Sequence, residues 1–190
     1  MKSIAITLTA LALAASAQAQ TSNSLNSAGT YGLLSLGQGH LNADCSGTQA
    51  CDRNATGGKA TLGYSFGNGF AVEGGYANFG KFRASNGAVG LGARPEALSL
   101  GAAYTAELTP QWGLTGRLGV ARVHTKVNAE VGTLTGSGSE NSTQPLVGLG
   151  VNYALTPSTR LELGVDSTRA QYQGERANVR MVSLGARMAF

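Results

Sequence analysis

An all-β, eight-stranded antiparallel up-and-down barrel that crosses a membrane on its strands is the fold this sequence predicts, and three observations predict it. Apolar residues alternate with small or polar ones at period two through eight segments. The connections between those segments alternate between tight turns and long polar stretches. Glycine supplies 28 of the 190 residues against 4 prolines, roughly twice the usual glycine share. Such a chain does not read as helical, because an interior glycine costs a helix about 1 kcal/mol relative to alanine. It lacks the strict three-residue period of collagen. At 42% hydrophobic and 13% charged it is too apolar for a disordered chain. The length suits one domain. The mean hydropathy of −0.03 resembles a soluble average, so the faces of the strands have to decide the solvent.

The chain opens with Met1-Lys2-Ser3, an apolar run from Ile4 to Ala15, and small residues at Ala17 and Ala19. That run is too short to span a bilayer as a helix. Residues 1–19 read as a cleaved signal peptide, 20–29 as a short N-terminal segment, and 30–190 as the barrel domain. The net charge of +4, one less once Lys2 leaves with the leader, is too mild to imply nucleic acid.

The first predicted strand, Thr30 to Gln38, has its phase blurred by Leu33 and Leu34. In the second, Ala60, Leu62, Tyr64 and Phe66 oppose Lys59, Thr61, Gly63 and Ser65. Phe70 to Asn78 is the third. The fourth sets Leu98, Leu100, Ala102, Tyr104, Ala106 and Leu108 against Ser99, Gly101, Ala103, Thr105 and Glu107. Leu114 to Ala121 is the fifth, and Val147 to Leu155 the sixth. Leu161, Leu163 and Val165 oppose Arg160, Glu162, Gly164 and Asp166 in the seventh. Val182 to Phe190 closes the set. Tight turns are predicted at Gly67-Asn68-Gly69, Thr109-Pro110-Gln111 and Thr156-Pro157-Ser158. Long loops are predicted at His40–Gly58, Lys81–Glu96, His124–Ser142 and Ser167–Asn178. A tilted membrane strand needs roughly 9–11 residues, so eight of them fit this length. Three short turns on one side and four long loops on the other put both termini on the periplasmic side of an outer-membrane barrel.

Composition separates this barrel from a soluble one. A soluble barrel turns its apolar face inward and crowds its outer face with Lys and Glu. Here the non-apolar face is mostly Gly, Ala, Ser and Thr with isolated Glu and Arg, which suits the narrow inside of an eight-stranded barrel. Phe66, Phe70, Tyr104, Trp112, Tyr153 and Phe190 gather at the short-turn ends, as in the aromatic girdle of a membrane barrel.

The run Gln144-Pro145-Leu146-Val147-Gly148-Leu149-Gly150-Val151-Asn152-Tyr153-Ala154-Leu155-Thr156-Pro157, continuing to Arg160-Leu161-Glu162, resembles the sixth and seventh strands of the OmpA transmembrane domain family. Met181-Val182-Ser183-Leu184-Gly185 through Phe190 resembles its last strand. Val72-Glu73-Gly74-Gly75-Tyr76 with Phe79-Gly80-Lys81 resembles its third, and Gly116-Arg117-Leu118-Gly119 its fifth. The resemblance runs from about Tyr31 to the end. It implies an outer-membrane barrel with a polar, largely plugged lumen, and a terminal Phe190 read by the barrel-assembly machinery during insertion. The periplasmic peptidoglycan-binding domain of full-length OmpA has no counterpart here, so that tethering role is not expected. Glu73 and Arg160 match two members of the family's charged quartet, while Glu107 stands where a lysine is expected and Asn152 where a glutamate is. Glu73, Glu107 and Glu162 are then expected to balance Arg117, Arg160 and Arg187 in the lumen, with Glu73 beside Arg160. Such a network reads as a static plug, with a small-ion gate as the rival.

Cys45 and Cys51 are the only cysteines. An even pair in an exported loop reads as a disulfide. A metal site with His40, Asp44 and Asp52 is the rival, but the spacing matches no zinc pattern. A serine hydrolase of the PagL type would need a His and a Ser at short spacing with a carboxylate, and the only histidines are His40 and His124. No catalytic, cofactor or metal site is therefore expected, and the chain reads as a non-enzyme. Arg53, Lys81, Arg83, Arg94 and Lys126 lie in or beside the outer loops as solvated charges, with lipopolysaccharide phosphates as their other use. The expected protein is a monomeric, porin-like envelope component in contact with outer-membrane lipid and lipopolysaccharide, with a structural role and limited small-solute passage. Surface adhesion through the loops, as in the related OmpX and Ail-like barrels, is the alternative. Those barrels carry strands protruding from the membrane, whereas Gly-, Ser- and Asn-rich loops are expected here. A lipid A-modifying enzyme is the third reading.

Overall fold

The structure, a computed structural model, describes residues 27–42, 50–86, 89–131, 134–172 and 175–190. The signal peptide, most of the 20–29 segment and Cys45 lie outside the described residues. Ten strands follow in chain order: β1 (Gly29–Asn42), β2 (Ala50–Asp52), β3 (Asn54–Ser65), β4 (Phe70–Asn78), β5 (Phe82–Asn86), β6 (Val89–Glu107), β7 (Trp112–Val131), β8 (Leu134–Ala154), β9 (Thr159–Tyr172) and β10 (Glu175–Ala189). All but β2 and β5 belong to the wall. Each wall strand pairs antiparallel with the next, and β10 pairs back onto β1. The wall is thus a closed eight-stranded barrel, the form in which a sheet satisfies its backbone inside lipid.

Burial follows the alternation. Leu62, Leu100, Leu118, Leu149, Leu163 and Leu184 are exposed on the outer face, and their sequence neighbours point inward. In β1 the blurred phase resolves cleanly: Leu33 is fully buried in the lumen, while Leu34 and Leu36 face out. The short turns close as predicted. Phe66 N–H donates to Phe70 O at 2.9 Å, and Leu108 N–H to Trp112 O at 2.9 Å. Gly67 (φ 81°) and Gly69 (φ 89°) take the left-handed backbone that the first of these turns requires. In the third turn, Thr156 Oγ1 accepts from Thr159 N–H at 3.0 Å. Phe190 N–H donates to Thr30 O at 3.0 Å, which ties both ends of the barrel to this periplasmic rim. Above it the girdle rings pack in cross-strand pairs, Phe70 with Tyr104 and Trp112 with Tyr153, each with centroids 4.8 Å apart.

The outer end departs from expectation. Most of His124–Ser142 is not loop but a hairpin extension: β7 and β8 stay paired out to Val131 and Leu134. Lys81–Glu96 holds β5 and the start of β6, and Ser167–Asn178 carries the paired ends of β9 and β10. The cause is legible in β7, where Val123, Thr125, Val127, Ala129 and Val131 keep alternating with His124, Lys126, Asn128 and Glu130. Opposite them, Gly136, Ser137, Gly138 and Ser139 supply no apolar face, and above the bilayer a strand needs none. β6, β7 and β8 run 19, 20 and 21 residues, about twice the crossing length. Their upper halves therefore stand outside the membrane. β5 adds to this sheet beside β6, and β2 beside β5. On the other flank, β8 pairs with β9 from Val147 down, so above that point it is laddered to β7 alone.

Candidate functional site

The inward faces place the chemistry in the lumen. A charged belt lies at mid-barrel. Arg117, from β7, donates through Nε to Glu73 Oε2 of β4 at 2.8 Å and through an Nη to Glu162 Oε2 of β9 at 2.7 Å. All three side chains are buried. Tyr31 O–H donates to the other Glu73 oxygen at 2.7 Å. The Arg187 guanidinium stacks over the Tyr31 ring, 3.5 Å from its centroid. One face of this network thus runs from β10 through β1 and β4 to β7 and β9. Lys59 of β3 pairs with Asp166 of β9 alongside it. A cavity of about 30 Å³ opens beside these groups, lined by Lys59, Thr61, Glu73, Ser99, Arg117 and Asp166. It has room for about two waters.

Glycine makes this crowding feasible. Tyr31 faces Gly63 across the β1–β3 ladder, and a Cβ there would overlap its ring. A Cβ on Gly148 would sit 2.5 Å from Asp166 Oδ1, and one on Gly150 3.3 Å from an Arg117 Nη. The long side chains lie where these Cβ atoms would be.

Two further layers bracket the belt. Toward the periplasm, Asn152 Nδ2 donates to Thr115 Oγ1 at 2.6 Å, and the Thr105 and Thr115 hydroxyls lie 2.8 Å apart. Toward the outside, Phe79 and Phe82 fold into the lumen against Val123, Val179, Met181, Ala97, Ala121 and Ala170. Gly80, at φ 94°, sits between the two phenylalanines at the irregularity where β4 passes into β5, both running in the same direction along β6. The lumen is filled by a polar layer, an ionic belt and an apolar stopper.

The expected network is thereby rearranged. Glu73 bonds Arg117 and Tyr31, not Arg160. Arg160 lies lower, as the direct cross-strand partner of Arg187. Glu107 ends β6 at the rim, exposed, with its charge acting on Arg160. Asn152, opposite Glu162 across the β8–β9 ladder, bonds Thr115 rather than a cation. Sequence reasoning left out Tyr31, Lys59 and Asp166, although Lys59 and Asp166 sit on the same inward phase as their predicted neighbours. Counting them, Lys59, Arg117, Arg160 and Arg187 face Glu73, Glu162, Asp166 and the rim Glu107. Cys51 lies on β2, and its predicted partner Cys45 is outside the described residues. Neither histidine faces the belt: His40 Nδ1 lies 2.7 Å from Asn54 Oδ1, and His124 Nδ1 2.9 Å from Asn141 Oδ1, both on the outer surface.

A family model described as outer membrane protein beta-barrel domain matches residues 5–190. The chain belongs to that family. As an outer membrane protein of this barrel type, it has the localisation that the lipid-facing leucines and the aromatic girdle require. Neisserial surface protein A (NspA) is similar at 16% identity and TM-score 0.60, covering 85% of this chain and 97% of its own. Ail, the attachment invasion locus protein of Yersinia pestis, aligns at 17% identity and TM-score 0.56, over 84% of this chain and 99% of Ail. OprG from Pseudomonas aeruginosa aligns at 15% identity and TM-score 0.55, over 86% and 97%. At these identities the likeness is one of fold. No curated protein matches the chain by sequence.

Proposed function

We propose that this outer membrane barrel is a sealed anchor that works at the cell surface through its protruding sheet, engaging a macromolecular partner outside the membrane. The observation that carries this reading is the length of β6, β7 and β8, twice what the bilayer takes up. A further support is the flank of β8 above Gln144, which has no ladder partner among the described residues; just below it Thr168 still donates to Pro145 O and Gln144 to Gln171 of β9. An edge of this kind is a template for an extended partner segment. The protrusion favours surface interaction, since much of what the sequence predicts as long loops is paired strand. Ail and NspA lend it a shared fold and no more. The role is a non-catalytic one, and each histidine is engaged by an asparagine across its own ladder.

The test is a hairpin truncation. Thr125 and Glu140 are direct partners, so joining them by Asn-Gly in place of residues 126–139 keeps the wall in register. The expected result is a barrel that still shows a heat-dependent electrophoretic shift, on cells that have lost adherence to host surfaces and matrix proteins. Unchanged adherence of the truncated form, or none conferred by the intact protein, overturns the reading.

Sealing has its own test. Reconstituted into planar bilayers, the protein is expected to give no discrete conductance steps, because ions would have to pass both the belt and the stopper. Stepwise currents from the intact protein would replace the anchor reading with one of small-solute passage.

A further inference from the structure

Directly above the apolar band, the outer wall carries arginines that the lumen does not account for. Arg169 on β9, Arg180 on β10 and Arg122 on β7 all point outward and are exposed. Arg180 is the direct partner of Ser167 on one side and of His40 on the other. Arg169 is the direct partner of Asn178. The two arginines are therefore diagonal neighbours on one face of adjacent strands, within reach of a common ligand. Among the described residues none of these three arginines has an ion pair or hydrogen bond. Arg94 and Lys126, also outward, differ in sharing Glu96.

What lies beneath the arginines identifies the ligand class. Two residues down β10 from Arg180 is Val182, whose direct partner is Val165 on β9. Leu184 and Leu163 pair below them. Leu36 and Leu34 continue the same apolar surface on β1 and are among its most exposed residues. The site thus offers cations at the headgroup level and an uninterrupted acyl-chain surface immediately below. Ser167, Asn178 and His40 add hydrogen-bonding groups between and beside the two guanidinium groups. His40 is held there by Asn54, whose Oδ1 lies 2.7 Å from His40 Nδ1. Planar guanidinium groups match phosphate oxygens in a way that ammonium groups do not.

We propose that Arg169 and Arg180, with Ser167, Asn178 and His40, form a binding site for the phosphorylated headgroup of an outer-leaflet glycolipid of the lipopolysaccharide type, its acyl chains lying on Val165, Val182 and Leu36. The site stands apart from the protruding β6–β8 sheet and does not depend on what that sheet binds. Arg122, two strands away on β7, supplies a second cation at the same height for the headgroup's other phosphate or for a neighbouring lipid.

The experiment is native mass spectrometry of the intact mature protein, released from nanodiscs doped with lipid A, monophosphoryl lipid A, dephosphorylated lipid A or phosphatidylglycerol. Wild type is expected to retain lipid A, to retain the monophosphoryl form more weakly, and to lose the dephosphorylated form. The R169Q/R180Q variant is expected to bind lipid A on the order of tenfold more weakly, and R94Q to bind as wild type does. All three must show the heat-dependent electrophoretic shift of a folded barrel. If the double variant fails that criterion, R180K replaces it, expected folded and weakened because the planar fork is lost. Retention of lipid A by a folded double variant or R180K at wild-type level overturns the site. Equal retention of phosphatidylglycerol overturns the glycolipid assignment, and so does displacement of lipid A by millimolar inorganic phosphate.

Discussion

Arg117→Ala is expected to be the most damaging single substitution in the barrel, at about 3–5 kcal/mol of stability. The arginine itself is costly to bury, and an apolar replacement of the entire network can be neutral. Removing it alone is different, because Glu73 and Glu162 stay in a lumen with no bulk water to solvate them. Glu73 would keep its hydrogen bond from Tyr31, but Glu162 would lose the cation that Arg117 brings to it. Urea titration of vesicle-reconstituted protein, followed by the fluorescence of its single tryptophan at the girdle, is expected to show the midpoint falling sharply. The triple variant E73Q/R117M/E162Q is expected to recover most of the loss, since it removes the charges together with their partner. A loss under about 1 kcal/mol for Arg117→Ala would mean that the belt does not behave as buried charge. It would then have to be solvated well enough to conduct.

The belt also shows where sequence reading stops. That Glu73, Arg117 and Glu162 face inward follows from phase alone, because Val72, Leu118 and Leu161 beside them are apolar and face lipid. Which cation meets which anion does not follow from phase. It depends on how far each strand is staggered against the next. Glu73 and Arg117 come from β4 and β7 with β6 between them, and their side chains meet over Gly101, the direct partner of both Glu73 and Gly119. The family pattern suggested Arg160 as the partner of Glu73, and the stagger puts Arg160 nearer the rim, beside Arg187. Tyr31 was invisible for another reason. Leu33 and Leu34 blur the phase of the first strand in the sequence, and it is the inward phase of Tyr31 that sends it under Arg187.

The outer extension was hidden by the same rule that made the transmembrane part legible. Within the bilayer, alternation is enforced on one face by lipid and on the other by the narrow lumen, so both faces leave a mark in the sequence. Above the bilayer the lipid constraint ends. Residues 135–143 are then free to be, apart from Glu140, glycine, serine, threonine and asparagine on either face while still completing a ladder to β7. A polar strand and a polar loop look alike in composition. The distinguishing trace lay in β7, where valines at 123 and 127 keep the inward phase of Ala121. The glycine excess divides on the same line. In the lumen it makes room for Tyr31, Arg117 and Asp166, and in the extension it marks only the absence of a demand for apolar side chains.

The lipid band itself is testable by depth. Leu149→Arg on β8 is expected to cost about 2–4 kcal/mol, and Ser137→Arg on the same outward face of the same strand less than about 0.5 kcal/mol. Leu149 lies two outward positions above Tyr153 of the girdle and is 63% exposed, with Gly116 and Val165 as its direct partners. A guanidinium there would face hydrocarbon and could reach water only by bending along the wall past Val147 and Pro145. Ser137 belongs to the part of β8 paired solely with β7, opposite Asn128, where the surroundings are aqueous. Equilibrium unfolding from vesicles reads both substitutions on one scale. The hydropathy near zero makes the contrast decisive, since a soluble barrel of this composition would tolerate an outward arginine equally at both positions. Equal costs at 149 and 137 would remove the bilayer from this account. A large cost at 149 alone fixes the membrane surface on β8 between the two, below the hairpin that extends to Val131 and Leu134.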